Sequence, residues 1–446
     1  MNRQKILGEE PIQKLLLQYS IPAIIGMLVN ALYNVVDRIF IGKIPDIGPL
    51  ALTGVGVTMP IMTMILGVSM LVGIGATTSI SLTLGSGNKK DGESILGNAV
   101  VLMVLMGIIL TVIGLLLRNK ILILFGASEN TLYYATEYIN IILVGTIFSI
   151  SSFALNATIR ADGNPKMAAA TMALGCIVNI VFDYVFIFIF NLGIKGAAVA
   201  TVLAQVISTL VMVYYYTKGS SNLKLKIQNL KLDISIVKRI FAIGFAPFAM
   251  QIAASAVQII ANNSLKAYGN DLSIGAMAVI SSVSLIFLMP IFGINQGSQP
   301  IIGYNYGAKK YKRTKLTLKY AIVAATIIVC IGAVVIQLFP EKVISIFNSD
   351  ESLLKIGVTG IRVYLFMLPL LGFQVVGSNY FQSIGKVKIA TFLSLLRQVI
   401  LLIPFTLILP RFFGVNGVWL AGAFSDFIAS MITGIFIIRE FRRVEN

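Results

Sequence analysis

Three apolar stretches of the chain carry polar residues at helical spacing, and two of them include a carboxylate. Asn30, Asn34 and Asp37 fall at i, i+4 and i+7 within the run Leu15–Ile41. Asn179 and Asp183 stand at i, i+4 in Lys166–Phe190, and Thr201, Gln205 and Ser208 repeat the stripe in Gly196–Tyr216. Such spacing puts each set on one face of a helix. A fourth run, Leu132–Ile159, adds Asn156 and, one turn later, Arg160. An ionised carboxylate at the centre of a bilayer costs about 2.5–3.5 kcal/mol unless it is protonated, binds a cation or lines water. Desolvation and a like-charged neighbour both disfavour ionisation. Such a group can load a proton on one side of a membrane and lose it on the other. The same oxygens, joined by Asn and Thr oxygens, could instead form a cage for Na⁺. The residues alone do not choose between the two.

A blander reading applies to each residue singly. An Asn or Thr in a membrane helix is more often helix–helix glue than a ligand. Asp183 resists that reading, because its run holds no basic residue beyond Lys166 at the start. Asp37 gains little from adjacent Arg38, since neighbouring side chains on a helix diverge by about 100°. Asp426, mid-run near the C-terminus, is read as a structural ion pair with Arg397. In the second half of the chain Gln251, Ser255, Gln258 and Asn262 form an uncharged polar stripe. Together with Met277 and Met289 they are candidates for an adaptable substrate cavity.

The elements that position these residues follow from composition. The chain is 57% hydrophobic and only 12% charged, against about 25% charged in a soluble domain. Apolar runs of about 20 residues recur, each long enough to cross a ~30 Å hydrocarbon core as a helix. The alternation that a membrane barrel needs is missing. The expected class is therefore an all-α integral membrane protein with twelve transmembrane helices. The net charge of +17 does not mark a nucleic-acid site: 24 of the 35 basic residues fall in alternate loops and the termini. The positive-inside rule then puts both termini in the cytoplasm, in a multi-pass protein of the plasma (inner) membrane. The polar Met1–Gln13 followed by a long apolar run predicts no cleavable signal peptide. There is no histidine, and Cys176 and Cys330 both lie within runs. Metal clusters and His-based nucleophilic catalysis are excluded, so neither an enzyme nor a cofactor is expected.

The halves share a skeleton about 222 residues apart. Ile121–Glu129 (ILILFGASE) reappears as Val343–Glu351 (VISIFNSDE), and Gly73–Gly87 maps onto Asn295–Lys309 with Gly75 on Gly297. At the neighbouring register Asp183 falls on Pro404, so the matched acid belongs to the first half alone. Pro22 and Pro247 occupy equivalent places, while Pro290 and Pro369 are expected to interrupt the eighth and tenth runs. The polar stretch from Thr217 to Arg239 separates six runs from six. This predicts a first lobe over 1–217, a cytoplasmic linker over 218–236 and a second lobe over 237–446. The lobes would be pseudo-symmetric six-helix bundles related by an axis along the membrane normal.

YNVVDRIFIG (Tyr33–Gly42), LALTGVGVTMPI (Leu50–Ile61), the Gly73–Gly87 stretch, RADGNPK (Arg160–Lys166) and NIVFDYVFI (Asn179–Ile187) together resemble the multidrug and toxic compound extrusion (MATE) family. In length and N-terminal style the chain is most similar to its MepA-like bacterial branch. The resemblance implies export of organic cations or amphiphiles against an inward H⁺ or Na⁺ gradient, by alternating access of two lobes. It also implies a coupling site on Asp37, Asn179, Asp183 and Thr201, with Asn156 beside them, and Na⁺ held by the first four if Na⁺ is the ion; the polar stripe of the first run adds Asn34 as a further candidate. Other members use acids on the seventh and tenth helices, which this chain lacks. Expected partners are the lipid bilayer and small cationic or amphiphilic molecules, with the protein a monomer. The alternative is a flippase for lipids or lipid-linked saccharides. That activity calls for several cavity cations, and only Arg38, Arg362 and Arg397 lie within runs.

Overall fold

Long apolar runs become long helices wherever no residue forces a break. The computed structural model describes residues 3–45, 47–125, 127–269, 271–345 and 351–445. The principal helices are α1 (Ile12–Gly42), α2 (Gly48–Gly85), α3 (Lys89–Leu124), α4 (Glu129–Val144), α5 (Thr146–Ala161), α6 (Pro165–Tyr184) and α7 (Ile194–Thr217). After the linker come α8 (Ile234–Tyr268), α9 (Asp271–Gly307), α10 (Tyr311–Leu338), α11 (Glu351–Tyr364), α12 (Leu368–Ser383), α13 (Val387–Leu395) and α14 (Val415–Glu445). Among the described residues ten helical spans are long and apolar enough to cross a membrane, and counting each of two bent pairs as one span brings the number up to 12, the number expected.

The bends repeat the duplication. α4 and α5 meet at 55° and α11 and α12 at 50°, and Met367 in the second break lies 222 residues after Gly145 in the first. At Gly145 a Cβ would come within 2.4 Å of the Val202 side chain, so the corner admits only glycine without repacking. Pro369 opens α12, where its missing N–H is no loss. Pro290 does not interrupt its helix: α9 runs through both Pro290 and Pro300. A single absent N–H is tolerated when flanking turns and neighbouring helices satisfy the freed carbonyl.

Compactness divides the chain into a first unit of 1–9 and 25–248 and a second of 10–24 and 249–446. Two of the three boundaries cut continuous helices, close after Pro22 in α1 and after Pro247 in α8. In the first unit α2 packs on α3, α4 and α5, and α6 pairs with α7. In the second, α9 packs on α10, α11 and α12, and α14 lies on α11 and α12. The matched glycines serve matched approaches. A Cβ on Gly75 of α2 would stand 2.1 Å from the Ile240 carbonyl oxygen of α8. One on Gly297 of α9 would stand 2.6 Å from the Ser20 amide nitrogen of α1.

The segment after α7 is fastened to the first unit rather than left as a tether. The buried Asp162 carboxylate accepts hydrogen bonds from the Tyr215 hydroxyl (2.6 Å) and from the amides of Asn222 (2.9 Å) and Leu223 (2.7 Å). Glu93 accepts from the Lys224 amide and pairs with Lys226 at 2.6 Å. Asn98 donates to the Lys231 carbonyl and accepts from the Asp233 amide. The Ser235 hydroxyl and amide in turn hold the Asp233 carboxyl below the usual carboxylate range at the start of α8. Hydrogen bonds to a charged group are worth about 1.5–3 kcal/mol each. Asp162→Ala is therefore expected to speed tryptic cleavage at Lys224, Lys226 and Lys231 by roughly 10- to 100-fold. Cleavage at the wild-type rate would show that Asp162 does not anchor this segment.

Candidate functional site

Asp37 on α1 and Asp183 on α6 both belong to the first unit, and the structure sets their carboxyls within hydrogen-bonding reach of each other. Asp183 is wholly buried, and Asp37 is 8% exposed. One turn before Asp183, Asn179 (also buried) donates from Nδ2 to the Thr201 hydroxyl of α7 at 3.3 Å. No donor among the described residues reaches Asp37 Oδ1, Asn179 Oδ1 or either oxygen of Asp183. Four buried oxygens on two adjacent elements thus lack the partners that burial demands. A proton shared between the carboxyls would satisfy part of that deficit. A small monovalent cation among the oxygens would satisfy it too, because carboxylate, amide and hydroxyl oxygens are the ligands that hard cations take.

Local structure explains the arrangement. The i, i+4 spacing aligns Asn179 with Asp183, and immediately afterwards the helix widens into a π turn, Val185–Ile189. Such turns recur at functional sites because the extra residue shifts the faces of the helix. Phe40, one turn beyond Asp37, packs edge-on to Phe188 of that π turn with centroids 5.8 Å apart, and against Tyr184 at 6.5 Å. This aromatic clamp fixes Asp37 opposite Asp183. Gly26 lets α1 approach α6, since a Cβ there would lie 2.8 Å from the Met172 sulfur. Gly196 brings α7 equally close to the π turn. The clamp and the π turn were not foreseen from the residues; the aromatic run from Phe182 to Phe190 was the available signal.

The MatE family profile matches residues 22–185 and again 246–408, one copy in each half of the chain. The chain belongs to the MatE family. Among curated proteins it is similar to the multidrug export protein MepA of Staphylococcus aureus (strain MRSA252), at 26% identity over 92% of this chain and 90% of the relative. MepA of Staphylococcus haemolyticus (strain JCSC1435) matches at 25% over the same shares. In fold it is similar to a solved multidrug resistance MATE family transporter in an outward-facing conformation. The TM-score is 0.93 at 23% identity, with 100% of this chain and 99% of the other covered. A MOP superfamily transporter from Pyrococcus furiosus gives the same values. The sequence resemblance and the all-helical fold it implied therefore hold.

Other residues of this MatE transporter fall as follows. Asn34 lies on α1, but its side chain is outside the described residues, as is that of Asn30. Asn156 of α5 donates to the Ala168 carbonyl (2.7 Å) and the Thr171 hydroxyl (2.9 Å) of α6 and accepts from Arg160 (2.5 Å). Its amide is committed to holding α5 on α6. Arg38 is exposed and turns its guanidinium to the Met59 sulfur at 3.7 Å. In the second unit Gln251, Ser255 and Met289 are half-buried, while Met277 is buried in the core. Gln258 is exposed and donates to Asn262 at 3.1 Å. That unit also holds a buried ion pair: Arg397, inside a second π turn (Leu396–Leu402), donates from Nε to Asp426 of α14.

Proposed function

We propose that the chain is a cation-coupled antiporter that exports organic cations or amphiphilic compounds across the plasma membrane. Asp37 and Asp183, with Asn179 and Thr201, take up H⁺ or Na⁺ from outside. Neutralising the carboxyl pair favours bending of α1 and release of substrate outward. Return to the inward face discharges the cation to the cytoplasm, where both termini lie, and readmits substrate. The protein works as a monomer, and Gln251, Ser255, Gln258, Met277 and Met289 contribute to substrate contact. The observation that carries the reading is the pair of facing carboxyls with unpartnered oxygens in the first unit. An ion-coupled transporter needs buried groups that can take up its ion on one face and give it up on the other, and a pair of facing carboxyls is suited to that task. The names of the staphylococcal relatives support the class of substrate. A flippase reading draws little support, because Arg397 is held by Asp426 and Arg362 donates to the Gln337 carbonyl.

The test is a proteoliposome loaded with a fluorescent organic cation and given a pH gradient or a Na⁺ gradient separately. One of the two is expected to drive dye movement against its own gradient. Absence of movement under both would reject coupling. Lipid scrambling without dye movement would favour the flippase.

A further inference from the structure

At one end of the second unit a cavity of about 520 Å³ opens between the start of α13 and the end of α14. Its depth relative to a bilayer follows from the spans that border it: one begins at Val387 and the adjacent one ends at Arg443. Both termini of apolar helices meet there, so the cavity stands at the level of the lipid headgroups. Lys388, Arg439 and Arg443 line it with exposed side chains, and half-buried Phe436 contributes an apolar wall. Lys386 also lines it but is spent on Glu440, with which it forms an ion pair. Among the described residues no acid forms an ion pair with the other three cations around the hollow.

Glu440 adds a second kind of group. Lys386 takes its Oε2, while Oε1 is buried and has no donor among the described residues. The hollow therefore offers positive charge for an anion together with a hydrogen-bond acceptor that a bare phosphate ester cannot satisfy. We propose that it binds the headgroup of an anionic phospholipid of the phosphatidylglycerol type. The phosphodiester sits among Lys388, Arg439 and Arg443, a glycerol hydroxyl donates to Glu440 Oε1, and an acyl chain leaves along Phe436. Basic pockets at the ends of membrane helices are suited to anionic headgroups, each Lys or Arg near the surface contributing comparably.

The assay uses the full-length protein, purified and delipidated in detergent, with lipid binding followed by native mass spectrometry and by thermal midpoint. Phosphatidylglycerol is expected to bind and raise the midpoint where phosphatidylcholine does not. Phosphatidylmethanol, of equal charge but without headgroup hydroxyls, is expected to bind more weakly. The triple variant Lys388→Gln, Arg439→Gln, Arg443→Gln should bind phosphatidylglycerol roughly 100-fold more weakly. Its midpoint in phosphatidylcholine serves as the folding control, and the single variant Lys388→Gln, at an exposed position, replaces it should the triple variant fail that control. The proposal is overturned if the variants keep the wild-type preference, if phosphatidylmethanol matches phosphatidylglycerol, or if soluble glycerol 3-phosphate reproduces the stabilisation.

Discussion

Asp183→Asn is expected to lose gradient-driven efflux while gaining stability. The two effects have one cause. Asp183 is wholly buried, neither of its oxygens has a donor among the described residues, and a second carboxyl faces it. An uncompensated carboxylate at such a depth costs about 2.5–3.5 kcal/mol on insertion scales. Asparagine keeps the shape, removes the charge and provides an N–H that can donate to Asp37 Oδ1. The thermal midpoint in detergent should rise by several degrees, and its dependence on pH or Na⁺ should flatten. Coupling free energies between ligands of one transporter typically amount to about 5- to 150-fold in affinity. Dye accumulation driven by the ion gradient should drop within that range, while equilibration of dye down its own gradient continues. Asp37→Asn should resemble it less strongly in stability, because Asp37 is slightly exposed. A folded Asp183→Asn protein that accumulates dye like wild type would end the assignment. One that unfolds would show that the carboxylate is structural.

Much of this was legible in the chain, and the limits of legibility have physical causes. Span number and class followed from hydropathy, because lipid leaves the backbone few alternatives to helix. Asn179, Asp183 and Thr201 could be placed on helix faces because a period of 3.6 residues is fixed by the backbone itself. Asp37 could not be placed against Asp183 from spacing, since that contact depends on Phe40 reaching a π turn, and π turns have no simple sequence period. The role of Asp162 was equally hidden. RADGNPK served as part of a resemblance, whereas its aspartate works by gathering amides about 60 residues away. Nor did the polar stretch between the halves announce that the compact units trade the first portions of α1 and α8. A charged loop looks the same in sequence whether it hangs free or is stapled, because what staples it are single side chains far along the chain. The Pro290 expectation went astray for a related reason: a proline weakens one hydrogen bond locally, and packing around α9 decides whether that becomes a break.

The Arg397–Asp426 pair makes the opposite prediction to Asp183, because here each charge has its partner. The Asp426 side chain is 5% exposed and that of Arg397 17%. Removing one member of a buried pair leaves the other uncompensated, at a cost of about 3–5 kcal/mol. Asp426→Asn and Arg397→Met should each lower the midpoint of unfolding sharply. Replacing both, as Arg397→Met with Asp426→Leu, should restore most of the loss, since well-packed apolar residues often match a buried ion pair. Arg397→Lys is expected to rescue poorly. The donor to Asp426 is the guanidinium Nε, and an ammonium at the end of a flexible stem cannot reproduce that geometry inside a π turn. Tyr364 adds a steric requirement: its ring lies 2.4 Å from where a Cβ on Gly422 would stand, one turn before Asp426, so α14 cannot shift toward it to accept a new partner. Unfolding in detergent for the two single variants and the double variant gives the coupling energy directly. Ion-driven dye efflux by the folded double variant then separates structure from transport. Wild-type efflux would assign the pair to holding α14 in place. Loss of efflux in a fully stable double variant would instead make it part of the transport cycle, and Asp426 would no longer be the bystander that its ion pair suggests.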